Sequence, residues 1–308
     1  MILILGASGF VGRPLLQSFN NNQVSCIGTI YYDFNEQEAT GTYCKSADKN
    51  MVYYDISKMQ LSELDVNFSK ISHVVISTAS TTILDDVRRQ WDADPIEQYV
   101  LNISKLIEVF DFCFQRDIVP VFMSSDGVFD GVKGDYSEYD KPNPIHRYGY
   151  IKYELEKYIV QSKKKYLILR FGKVIGKKLN DQTLFTEIVS KLLKNEQQQL
   201  ATDQTMTPVY IDDLVNFILF AITKRIEGIL HLASTGPMNR FDMALQAARY
   251  FNIETPKINP CKINSLGLLE QRAKKNDLNV EKLKKISGFQ LRPLDYIFEL
   301  IRKEIVTS

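Results

Sequence analysis

The chain has 308 residues, 44% of them hydrophobic and 24% charged, enough apolar material for a sizeable core and about twice the length of a typical domain. Lys and Arg number 38 against 37 for Asp and Glu, a formal net charge of +1, which argues against holding nucleic acid by bulk charge. No apolar run reaches the roughly 18 residues that span a bilayer, and the apolar start Met1-Ile2-Leu3-Ile4-Leu5 lacks the basic leader of a signal peptide. The expectation is a cytoplasmic protein with neither nucleic acid nor membrane as a partner.

The cysteines Cys26, Cys44, Cys113 and Cys261 form no Cys-x-x-Cys pair, and His73, His146 and His231 are far apart in sequence. Reduced thiols are expected, with no disulfide framework and no metal site.

In chain order, apolar strand signals fall at 1–5, 24–29, 51–54, 73–77, 119–123 and 166–171. Helical spacing occupies 11–19, 99–114 and 148–160 between them, with Pro14 tolerable in a first helical turn. Strands alternating with helices predict βαβ units and a parallel sheet covered on both faces. Further on, helices are predicted at 184–193, 212–222, 241–251 and 294–305 and a strand at 228–233. The Gly-, Asp- and Pro-rich stretch 126–144 is too long for a simple turn and is a candidate functional loop. The predicted fold class is α/β: a Rossmann-type, doubly wound parallel sheet with a smaller mixed α/β C-terminal lobe for substrate. Residues 1–170 form the dinucleotide-binding part, with later strand contributions near 206–233. Residues 171–308 form most of the second lobe, which is discontinuous because no Gly/Ser linker separates the two.

The sharpest local signal is Gly6-Ala7-Ser8-Gly9-Phe10-Val11-Gly12, directly after a strand and opening a helix. Glycine permits the tight turn and close backbone approach that a pyrophosphate needs, and the helix N-terminus adds partial positive charge. The expected contacts are Gly6, Ser8, Gly9, Phe10, Val11 and Gly12, although the spacing is G-x-x-G-x-x-G. The second strand ends Ile27-Gly28-Thr29-Ile30-Tyr31 with no carboxylate before Asp33. An acid there accepts from the adenosine ribose; its absence removes repulsion toward a 2′-phosphate, and Thr29 can donate to one. NADPH is therefore the expected cofactor, with NADH as the alternative. Arg13, Lys45 and Lys49 are substitutes for an arginine beside that phosphate, or solvated surface charges. Asp55, with Ile56, follows the third strand and either meets the adenine edge or caps the segment from Ser57.

Tyr148 and Lys152 are four apart, which puts both on one face of a helix. A phenol has a pKa near 10 and is a poor acid–base at neutral pH, and a neighbouring ammonium lowers it. The spacing alone is weak, because Tyr153 and Lys157 repeat it and Tyr150 lies between. Tyr148 is preferred because it follows the Pro/Asn loop and starts the helix. Upstream, Val121-Phe122-Met123-Ser124-Ser125-Asp126 ends a strand in two hydroxyls, where the ligand crevice of a doubly wound sheet lies. A serine there polarises a substrate carbonyl or bonds local backbone.

Taken together, these segments resemble the extended short-chain dehydrogenase/reductase family, and within it the dTDP-4-dehydrorhamnose reductases. The resemblance is carried by GASGFVG (6–12), by SSDGVFDG (124–131), by the loop and helix from Tyr136-Ser137-Glu138 to Tyr148-Gly149-x-x-Lys152, by Thr207-Pro208 with Asp212-Asp213-Leu214, and by the stretch from Arg272 to Lys282-Leu283. It implies Tyr148 as proton donor, Lys152 as its partner and ribose ligand, Ser125 as the carbonyl-orienting hydroxyl and Asn102 as support for a proton relay. It implies cofactor contacts at Ser77, Thr78 and Ala79, and substrate contacts at Ser80, Asp126, Gly127, Val128, Phe129, Arg170, Thr207 and Arg272. Gly127 stands where the family has Tyr, and Ala273 where it has Pro; the glycine is expected to open volume for a different sugar or nucleotide. The implied reaction is NAD(P)H-dependent reduction of a nucleotide-linked 4-keto-6-deoxy sugar, for cell-surface polysaccharide synthesis. The alternatives are an epimerase or dehydratase that recycles NAD, with Asp126 as acid–base, and a non-catalytic NADP-binding regulatory subunit of the methionine adenosyltransferase type. Members often pair through helices, which makes a homodimer one expected state. Glu138 and Asp140 read as a solvated acidic loop, ahead of the alternative that they bind Mg²⁺ at such an interface.

Overall fold

The computed structural model describes residues 1–31, 50–77, 95–233, 236–267 and 272–307, with the backbone alone at 95–102 and 287. A seven-stranded sheet contains β1 (Ile2–Leu5), β2 (Cys26–Ile30), β3 (Met51–Tyr53), β4 (His73–Ile76), β5 (Val119–Met123), β6 (Leu167–Phe171) and β11 (Gly228–Leu232). Their order is β11-β6-β5-β4-β1-β2-β3, the Rossmann-type order with one strand added. Each strand of this sheet answers to one of the seven apolar runs. Those runs are continuous rather than alternating because central parallel strands are buried on both faces; Leu3, Ile4, Leu5, Val74, Val75 and Val121 are all at 0% exposure.

Two compact units divide the chain. The first comprises 1–123, 154–168 and 218–228. In it β1 pairs in parallel with β2 on one side, Ile4 opposite Gly28, and with β4 on the other, Ile4 opposite Val75. After β3 the chain returns to the far side of β1, so the strand order reverses between β1 and β4, and ligands of doubly wound sheets bind beyond the carboxyl ends of such a pair. Gly6 and Ser77 follow those two ends directly. Helix α1 (Gly12–Asn21) buries Leu15, Leu16 and Phe19, the i, i+1, i+4 stripe of a helix laid on a sheet. Helix α2 (Pro95–Gln115) precedes β5.

The second unit comprises 124–153, 169–217 and 229–308, so residues 124–153, expected within the first lobe, belong here. It contains the first turns of α3 (Arg147–Gln161), α4 (Leu184–Leu193), most of α5 (Ile211–Thr223), α6 (Arg240–Tyr250), α7 (Glu281–Ser287) and α8 (Leu294–Thr307). Its small sheets pair β7 (Val174–Ile175) with β10 (Val209–Tyr210), β8 (Gln198–Ala201) with β13 (Ile258–Cys261), and β12 (Met238–Asn239) with β9 (Thr205–Met206) and β14 (Lys275–Asn276). A core of Val128, Phe129, Tyr136, Ala233, Leu278 and Val280 gathers the loop after β5 against the late segments, with Tyr153 packed on it. The predicted functional loop is therefore anchored: Tyr136 bridges Leu278, and Phe129 stacks on Tyr136 with centroids 4.2 Å apart.

Candidate active site

In the first unit the glycine turn is built by backbone. Gly6 adopts φ +80°, the left-handed region that glycine enters without cost. Its N–H donates to Thr29 Oγ1 at 3.0 Å, Ala7 N–H donates to the Thr29 carbonyl at 2.9 Å, and Gly9 N–H donates to the Gly6 carbonyl at 3.0 Å. A Cβ on Gly12 would lie 2.1 Å from the Gly6 oxygen, so only glycine lets α1 begin this close to β1. Helix α1 starts with no side-chain cap and no acidic residue in its first turn, leaving the partial positive charge of its N-terminus to an outside anion. Gly9 and Phe10 are exposed at this mouth, and Ser8 and Val11 are half-buried. The cradle fits a diphosphate.

Thr29 does not face a phosphate: it is 2% exposed, and its hydroxyl oxygen is the acceptor that shapes the turn. Ser77 ties the end of β4 to the same turn, its Oγ donating to the Leu5 carbonyl at 2.6 Å. Asp55 is buried and takes the capping role. Its Oδ1 accepts from Ser57 N–H at 2.9 Å and Ser57 Oγ at 2.6 Å. Burial pushes its carboxyl up, but the Ser57 hydrogen bonds and the Lys58 ammonium hold it below its ordinary value. Ile56 is half-buried beside it. Thr78, Ala79, Ser80, Lys45 and Lys49 lie outside the described residues, as does the side chain of Asn102 on α2.

The candidate reacting groups lie in the second unit. Ser125 leads into the short turn Asp126–Val128, its Oγ accepting from Gly127 N–H at 3.0 Å and donating to Asp126 Oδ1 at 2.9 Å. Ser125 also acts on the Tyr148 phenol, in the lowering direction. Tyr148 sits in the first turn of α3 with Lys152 one turn on, buried, its Nζ 5.6 Å from the Tyr148 ring centroid. The competing tyrosines diverge: Tyr150 is 47% exposed, and Tyr153 packs into the core.

Burial, then the Asp126 charge, push the Tyr148 phenol up to about 12, against the lowering influence of Ser125, so burial outweighs the lowering expected at this position. The phenol therefore stays protonated at neutral pH. Asp126 is itself raised by burial, opposed by the Lys173 charge and by hydrogen bonds from Ser125, Gly127 N–H and Asn276.

Several expected substrate contacts are core instead. Val128 and Phe129 are at 0% and 1% exposure in the cluster beneath the loop. Arg170 is 2% exposed, its Nη1 3.4 Å from His231 Nε2 and its guanidinium 5.2 Å from the Phe129 ring centroid. Thr207 is buried, its Oγ1 accepting from Leu278 N–H at 3.0 Å. The family resemblance implied substrate contact at these positions, but burial depends on which late segments cover them. Arg272 is half-buried, and its charge, after burial, helps lower the Arg240 guanidinium. Glu138 Oε1 accepts from His231 N–H, and Asp140 accepts from Ser137 and Lys133, so the acidic loop is internally bonded.

Gly127 opens no volume. A Cβ there would lie 2.8 Å from His146 Cε1 and 3.3 Å from Ser125 Oγ, because the His146 ring fills that space. His146, Asn276 and Lys173 were not singled out by sequence reasoning. The available signal was His146 itself, standing at the cap position two residues before Tyr148.

Methionine adenosyltransferase 2 subunit beta of Pongo abelii is 24% identical over 299 residues, covering 95% of this chain and 84% of that protein. A dTDP-4-dehydrorhamnose reductase of Aggregatibacter actinomycetemcomitans is 24% identical over 303 residues, 94% of each chain. Among solved structures, dTDP-4-dehydrorhamnose reductase from Bacillus anthracis in complex with NADP superposes with a TM-score of 0.75 at 21% identity, covering 100% of this chain and 99% of that one. Residues 1–304 match the RmlD substrate binding domain family, and the chain belongs to that family.

Proposed function

We propose that this protein is an NADPH-dependent reductase acting on the keto group of a nucleotide-linked 4-keto-6-deoxy sugar. The observation that carries the reading is the grouping of Ser125, Tyr148 and Lys152: Ser125 Oγ is held by Gly127 N–H at 3.0 Å, Tyr148 stands in the first turn of its helix, and buried Lys152 has its Nζ 5.6 Å from the Tyr148 ring centroid. When substrate binds, the Ser125 hydroxyl turns its proton from Asp126 Oδ1 to the carbonyl oxygen, while Gly127 N–H keeps the Oγ in place. Tyr148 protonates that oxygen as negative charge develops, because an alkoxide is a stronger base than a phenolate. Gly6, Gly9 and Gly12 and the open N-terminus of α1 hold the cofactor diphosphate, in keeping with the NADP in the Bacillus anthracis relative. When bound, the reduced nicotinamide supplies a hydride to the carbonyl carbon. Asn102, Thr78, Ala79 and Ser80 complete the proposed contacts.

The test is NADPH oxidation followed by absorbance with a panel of dTDP- and UDP-linked 4-keto sugars. Oxidation with one of them, and an alcohol product, supports the reductase. Product without net oxidation points instead to an epimerase or dehydratase that recycles its cofactor.

A second reading is favoured by the likeness to methionine adenosyltransferase 2 subunit beta: a regulatory subunit that binds NADP without turning it over. Co-elution with a methionine adenosyltransferase catalytic subunit, with no NADPH oxidation across the panel, would replace the reductase by this role.

A further inference from the structure

We propose that His146 is a positioning residue for Tyr148, and that Gly127 is glycine because the His146 ring occupies the place of its side chain. The inference rests on the reductase reading only for the role of Tyr148.

Three observations carry it. First, His146 Nδ1 accepts from Gly149 N–H at 2.9 Å while the His146 carbonyl accepts from Tyr150 N–H at 3.0 Å. This is the N-cap bond to the third helical residue, made by a ring rather than by the usual Ser, Thr, Asp or Asn. Tyr148 lies between cap and capped residue, so the bond brackets it. Second, Gly127 has no left-handed φ, and its backbone would accept any L-residue; what excludes a side chain is the imidazole 2.8 Å from the Cβ position. Third, a Cβ on Gly149 would lie 1.9 Å from the Gly127 carbonyl oxygen and 3.0 Å from His146 Cε1. The Ser125 turn and the first turn of the Tyr148 helix thus meet backbone to backbone, with the ring wedged beside the contact. Together these set where the phenol stands relative to the Ser125 hydroxyl.

Four variants test this: H146N, H146A, G127A and G127A/H146A. Asn is shorter but caps well, so H146N should keep most of the turnover. H146A should lose kcat by about tenfold or more, the scale of a misplaced reacting group, with KM and NADPH affinity little changed. G127A should lose kcat and lower the urea midpoint, because its Cβ drives the ring out of the cap. Adding H146A to G127A should cost less than the sum of the two single changes in both readouts, since the methyl then has room. Wild-type kcat in H146A, or equal loss in H146N and H146A, overturns the positioning role. Strict additivity of the urea midpoints overturns the Gly127–His146 coupling. If the wild-type protein oxidises no NADPH, the reductase reading fails, and the midpoint cycle still decides the coupling.

Discussion

Tyr148 shows how far a residue can be read from its neighbours in sequence. The family resemblance proposes it as the proton donor, and its pKa is raised by burial and by Asp126, twenty-two positions upstream. Because the phenol is raised to about 12, it remains protonated throughout the neutral range, ready to donate in reduction and poorly suited to accept in oxidation. Tyr148→Phe should bind NADPH with unchanged affinity and lose kcat by about 10²–10⁴-fold, read by stopped-flow NADPH oxidation. Normal turnover in that variant would remove Tyr148 from the mechanism. Gly12 is the opposite case, fully legible, because the demand for close approach at a strand-to-helix turn is local. Gly12→Ala places a methyl 2.1 Å from the Gly6 oxygen and should destabilise the fold by about 1–3 kcal/mol through overpacking while abolishing NADPH binding in a fluorescence titration.

At the scale of elements, long periodic segments were read well and short ones were missed. Helix α4 occupies its predicted span because Leu184–Leu193 has strong apolar spacing and a Thr183 cap. Thr183 Oγ1 accepts from Thr186 N–H at 3.4 Å, with reciprocal bonding from Thr186. Thr183→Ala should cost about 1 kcal/mol, measured by urea unfolding; no change in midpoint would mean that tertiary packing alone fixes that helix start. The strands β7, β9, β10, β12 and β14 have two residues each, too few for a period to register, and they exist because partners remote in sequence pair with them. Helix α7, Glu-Lys-Leu-Lys-Lys-Ile-Ser, has an amphipathic signal too sparse to find, with Leu283 at 0% exposure its main anchor.

For the whole molecule, the buried His231–Arg170 pair ties stability to pH. His231 Nδ1 faces the Tyr136 carbonyl at 3.0 Å and must carry the proton there, so Nε2 is the acceptor 3.4 Å from Arg170 Nη1. Burial, then the Arg170 charge, hold the ring to about 3 against an ordinary 6.5. The folded state keeps it neutral while the unfolded state takes up a proton, so this contribution is present above 6.5 and is lost as pH falls toward 3. Urea midpoints should fall through that window by more than in His231→Gln; matching slopes would show that the ring does not couple folding to protons. The sequence by itself determined the seven strands of the main sheet, the glycine turn and the Ser125, Tyr148 and Lys152 candidates, because apolar runs, glycine sterics and helical spacing act over a few residues. Only the tertiary structure decided that Arg170, Thr207, Val128 and Phe129 are core, that Thr29 shapes its turn, that Gly127 makes room for a ring, and that the phenol is raised rather than lowered. Burial and Coulomb terms depend on partners 61 and 95 positions away, as at His231, and no local pattern records who those partners are.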